Sequence, residues 1–132
     1  MAQPPLHGHL GAPLGLPFSL AVRAGNTLYV SGQIGTLPNS MDLAAGGIQG
    51  QTRAMMENIR AILAAYGLDF DAVVKCTVML ADMSDWATFN HIYTDYFDAA
   101  RLPARSAFGC NGLALGAAVE MDCVAIFADG AD

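Results

Sequence analysis

The chain has 132 residues, of which 54% are hydrophobic and only 14% charged, with a formal net charge of −6. That length is one domain. The acidic balance and the scattered cations argue against nucleic acid as the main partner, because phosphate contact needs a basic face. No apolar run reaches the roughly 18 to 20 residues that a membrane-spanning helix needs. So little charge leaves apolar surface to bury, and an oligomer buries it between subunits.

Residues 1–17 are rich in Pro and Gly and carry His7 and His9. They read as an irregular, mobile N-terminal arm on the single domain 1–132, with no acidic or cysteine partner nearby to make the histidines a metal site. FSLAVRAGNTLYVSGQIG then reads as a hairpin turning at Gly25-Asn26, with Gly32 and Gly35 allowing a bulge or a close backbone approach. TLPNSMDLAAGG is a loop. Between Gly47 and Tyr66, Met55, Ile59, Ile62, Leu63 and Tyr66 recur at helical spacing, and Gly67 supplies a stop.

VVKCTVML, residues 73–80, alternates as a strand, with Val74, Cys76, Val78 and Leu80 on one face. A second helix is expected from about Ser84 to Phe97, capped by Ser84 or Asp82. Trp86, Phe89, Tyr93 and Phe97 form its stripe, and Asn90 falls on it too. RSAFGC and AAVEMDCVAIF are two further strands joined by NGLALG. In the last of them Glu120 and Asp122 share a face with Val124 and Ile126, which makes that face a site candidate. Cys76, Cys110 and Cys123 are odd in number and lack a CxxC pair, so they read as free thiols in a reducing compartment. With no Lys/Arg-led apolar segment at the start, the expected location is cytoplasmic.

LPARSAF, residues 102–108, sets a single charge, Arg105, among small and apolar residues. A cation held partly out of water needs an anion. If the last two strands pair antiparallel around NGLALG, Arg105 comes opposite residues 120–122. Glu120 or Asp122 then either neutralises it in a structural ion pair, or leaves a donor edge free for a ligand carboxylate, which a guanidinium grips with two parallel bonds. In the second case Glu120 handles water and protons.

The segments GLPFSLAVRAGNTLYVSGQIG, QTRAMMENIRAILAAYGLDFDAVVKCTVML, WATFNHIYTDYF, LPARSAF and AAVEMDCVAIF resemble, in order and spacing, the RidA/YjgF family of enamine and imine deaminases. The resemblance covers nearly the whole chain. It implies an α+β, chorismate-mutase-like single domain: a mixed β-sheet with two helices packed on one face, assembled as a homotrimer with sites between subunits. It implies hydrolysis of reactive 2-imino acids or enamines, such as 2-aminoacrylate, to 2-oxo acids and ammonia, with no metal or organic cofactor. The family's arginine falls on Arg105 and its acidic residue on Glu120 as the catalytic pair. Ser31, Gly32 and Asn90 fall on substrate-binding positions. Phe18 stands where many members have tyrosine, and Ala107 where many bacterial members have cysteine. Three other readings stay open: a deaminase of a larger enamine such as 2-aminomuconate, a non-catalytic trimer binding small carboxylates or a protein, and a ribonuclease. The acidic charge counts against the last.

Overall fold

The computed structural model describes residues 7–128. Its frame is one six-stranded sheet in the order β1-β2-β3-β6-β4-β5, formed by β1 (His7–Gly11), β2 (Ser19–Ala24), β3 (Thr27–Ile34), β4 (Val73–Leu80), β5 (Ala104–Gly109) and β6 (Val119–Ile126). All pairs are antiparallel except β4 with β5. Two helices, α1 (Gly47–Ala65) and α2 (Trp86–Tyr93), complete the α+β fold.

The hairpin β2–β3 turns at Gly25, whose φ of +60° suits a residue without Cβ. α1 buries Met55, Met56, Ile59, Ile62 and Leu63 in the core. It ends where Gly67, at φ +74°, lets the Gly67 and Leu68 amides bond back to the carbonyls of Ala64 and Leu63. Gly35 lies against the α1 backbone at Gln51, where a Cβ would collide. Gln51 Oε1 accepts from the Ala118 amide at 2.8 Å, tying α1 to the entry of β6. The sheet face toward the helices is thus filled by Leu28, Val30, Cys76, Val78, Leu80, Val119, Met121, Cys123 and Ala125. Among the described residues, no helix covers the opposite face.

The structure corrects four expectations. Residues 7–11 of the supposed irregular arm are strand β1, paired with β2; a sheet edge needs only backbone hydrogen bonds, which HGHLG supplies. Residues 1–6 lie outside the described residues. The last two strands do not pair with each other: β6 inserts between β3 and β4, and β5 runs parallel to β4 at the sheet edge. Val74 does not share the face of Cys76, because a bulge between Val73 and Lys75 turns Val73 inward and leaves Val74 exposed. The second helix is shorter than expected. α2 is flanked by 3-10 turns at Met83–Asp85 and Thr94–Tyr96, and Asp82 caps the first by accepting from the Ser84 amide at 2.9 Å.

Candidate active site

Arg105 lies on the edge strand β5, in register with the fully buried Cys76. It therefore faces the helices. α2 presents Trp86, Phe89 and Tyr93 at spacings of three and four, one helical face. The Arg105 Cζ stands 5.1 Å from the Trp86 ring centroid, 5.7 Å from Phe89 and 4.8 Å from Tyr93, all within cation–π range. This aromatic collar is how the fold tolerates a half-buried cation. Among the described residues no carboxylate pairs with it: the ion pairs are Arg53–Asp95, Arg60–Glu57, Arg60–Asp69 and Arg101–Asp98.

Two polar atoms on the same helix are also open. Asn90 Oδ1 and Tyr93 Oη are buried without a hydrogen-bond partner. Burial, and then the neighbouring Cys76, raise the Tyr93 hydroxyl pKa, so it stays protonated. Burial pushes the Cys76 thiol up to about 11, which keeps it protonated and poorly nucleophilic. Ala107, two residues along β5 from Arg105, packs against the core on the same face.

A second group of predicted site residues gathers elsewhere. In β3, Val30 pairs with Cys123 and Gln33 with Met121, so Ser31 and Gly32 together oppose Asp122 in a bulge. Ser31 Oγ donates to the Ser19 carbonyl at 2.6 Å, which anchors the bulge beside Phe18, an exposed ring. Glu120 lies over Gly32 so closely that any Cβ there would collide with Oε2. Partial burial, and then the Asp122 charge, raise the Glu120 carboxyl pKa.

Within one protomer the fold does not bring these two groups together. Glu120 is in register with Met79, and Met79 with Phe108, on the face away from the helices. Arg105 is on the opposite face, two strands away and three residues along. Strand spacing and rise put their Cα atoms roughly 14 Å apart. The hairpin of β5 with β6, which left open an ion pair of Arg105 with Glu120 or Asp122, is therefore absent, because β4 separates those strands. The open face beside Glu120 carries exposed Tyr29, Phe108 and Ile126. The aromatic collar itself was not read from the sequence as a site feature. Its signal was present: three aromatics on one helix face, preceding a strand with one charge.

A separate cleft of about 520 Å³ between the helices is lined by Gln49, Arg53, Ala87, Thr88, His91 and Ile92. It contains none of the predicted site residues.

A family model described as endoribonuclease L-PSP matches residues 12–127, from the segment before β2 to the end of β6. The chain is 44% identical over 110 residues to the mouse 2-iminobutanoate/2-iminopropanoate deaminase, covering 83% of this chain and 81% of that protein. The human protein of the same name is also 44% identical over 110 residues, covering 83% and 80% respectively. Among solved structures, RidA from an Antarctic Psychrobacter is 34% identical with a TM-score of 0.82, covering 94% of this chain and 100% of that one. The chain thus belongs to the endoribonuclease L-PSP family, also known as the RidA/YjgF family.

Proposed function

We propose that the protein hydrolyses reactive 2-imino acids to 2-oxo acids and ammonia, at sites completed between the subunits of a homotrimer. The observation that carries this reading is Arg105: a guanidinium lodged against three rings, with no carboxylate partner among the described residues. Such a group is suited to gripping the planar carboxylate of a small ligand. The names of the mouse and human relatives support the same substrate class. Trimer formation is supported by the uncovered sheet face and its exposed Tyr29, Phe108 and Ile126. Packing that face on a neighbour gives the Glu120 group of one chain a route to the Arg105 group of the next.

The chemistry asked of the residues is small. Arg105 binds the carboxylate and fixes the C=N carbon. Glu120, whose carboxyl pKa is raised by partial burial and then by Asp122, takes a proton from a water as its oxygen attacks that carbon. That proton passes to nitrogen, giving a carbinolamine; Glu120 then carries the new hydroxyl's proton to the same nitrogen, the C–N bond breaks, and ammonia leaves as the carbonyl forms. Ser31 and Gly32 hold Glu120 and the substrate at the bulge, and Asn90 supplies a polar contact beside Arg105. Positioning with one proton shuttle suffices, because imines already hydrolyse in water.

The test is an assay on imines generated in situ by an amino-acid oxidase. The parent protein should accelerate 2-oxo acid formation, and Arg105→Ala should give only the uncatalysed rate. Equal rates for the two would defeat the assignment.

A further inference from the structure

Three rings surround Arg105, but they differ in why they are there. Phe89 and Tyr93 are 0% and 4% exposed and belong to the core, so packing accounts for both. Trp86 is 40% exposed and outside the core, so burial does not explain a large apolar ring at the first position of α2. Its ring centroid nevertheless lies 5.1 Å from the Arg105 cation, and indole is the strongest of the aromatic partners for a cation.

We infer that Trp86 is a positioning residue that holds the Arg105 guanidinium in its ligand-binding pose and marks the mouth of the carboxylate site. The inference rests on the reading of Arg105 as the carboxylate receptor. Edge strand β5 restrains only the Arg105 backbone, and the long side chain retains rotamer freedom that ligand binding must remove. Phe89 and Tyr93 limit that freedom from the core side, and Trp86 limits it from the solvent side. Removing the indole should weaken carboxylate binding while leaving the core intact.

Trp86 is also the chain's only tryptophan, so its fluorescence reports directly on this site. The probe is 2-oxobutanoate, titrated into the intact protein by fluorescence and by calorimetry. Saturable binding in calorimetry should coincide with a change in indole emission. Trp86→Leu should weaken calorimetric affinity about tenfold, and Trp86→Phe, which keeps a ring, should stay within about twofold of the parent. Melting temperature and sedimentation are followed for each variant.

Calorimetric binding with unchanged emission overturns the inference. So does parental affinity in Trp86→Leu, or weakening explained by dissociation of its assembly. If Trp86→Leu does not fold, the emission change and Trp86→Phe still decide the matter. Absence of any 2-oxobutanoate binding by the parent defeats the carboxylate-receptor reading itself, and the role of Trp86 with it.

Discussion

Arg23 and Arg105 are both withdrawn from water, and the chain completes them differently. Arg23 is 8% exposed on β2. Its Nε donates to the Gly25 carbonyl at 2.9 Å, and its Cζ sits 3.7 Å over the Phe127 ring. That cation has a stacked face and an acceptor from its own turn, so it braces the hairpin. Arg105 has rings on several sides but no carboxylate partner among the described residues. A structural arginine finds its acceptors at home. In the proposed reading, Arg105, with its collar but no carboxylate partner among the described residues, takes its acceptor from a ligand.

The sharpest way to break the comparison is to truncate each arginine and measure two properties. Arg105→Ala should lose essentially all imine turnover while its melting temperature changes little. Arg23→Ala should lose about 2–3 kcal/mol of stability with the acceptor and ring contacts it gives up, and the folded fraction should keep the parent's turnover per site. If Arg105→Ala is the more destabilised of the two, Arg105 is structural and the contrast collapses.

The next largest effect concerns the carboxylate across the sheet. Glu120→Gln should lower turnover by about 10²–10⁴-fold, the usual weight of a proton shuttle, while 2-oxo acid binding persists. Since the folded-state pKa of Glu120 is raised, the active carboxylate form builds up only above the ordinary glutamate value of about 4.3. The acid limb of the parent's kcat/KM profile should lie above that value and be missing from Glu120→Gln. The same shift fixes the stability sign. Folding favours the protonated form, so the stabilising contribution is full below the unfolded pKa and is lost as pH rises through the folded one. Glu120→Gln at neutral pH should therefore not destabilise the protein. A parental pH profile in Glu120→Gln would assign the shuttle to another group.

A smaller effect separates Asn90 from the packing around it. Its Oδ1 is buried without an internal partner, so Asn90→Ala breaks no hydrogen bond at that atom. Turnover should fall about tenfold, the worth of one good polar contact, with stability nearly unchanged. A loss of about 1–3 kcal/mol without a kinetic defect would mark it as a structural amide.

The elements that local pattern controls were legible in the sequence. The β2–β3 turn, the α1 stripe with its glycine stop, and strands β4 and β6 were all set by residues within a few positions of one another. What non-local pairing controls was not. HGHLG has too little β character to announce β1, and nothing near NGLALG says that β6 will thread between β3 and β4. The same limit governed the site. Arg105 stood out because its neighbours are apolar, and Glu120 because it interrupts an apolar face. Their separation follows from strand order, which puts β4 between them, and from the register of each with β4, which puts them on opposite faces. Val74 was misplaced for a related reason, since a bulge shifts the pleat without changing the alternating pattern.

Two halves on opposite faces make a working site only if a neighbouring chain supplies the missing one, and subunit mixing tests that claim most directly. Arg105→Ala and Glu120→Gln chains, each inactive alone, are co-expressed and purified together. With a site shared between neighbouring subunits of a trimer, every mixed trimer carries one intact Arg105–Glu120 combination. Random assembly in equal amounts then restores about one quarter of the parent's activity. If both groups act within one chain, no mixed trimer contains an intact site, and the mixture would stay as inactive as its two components.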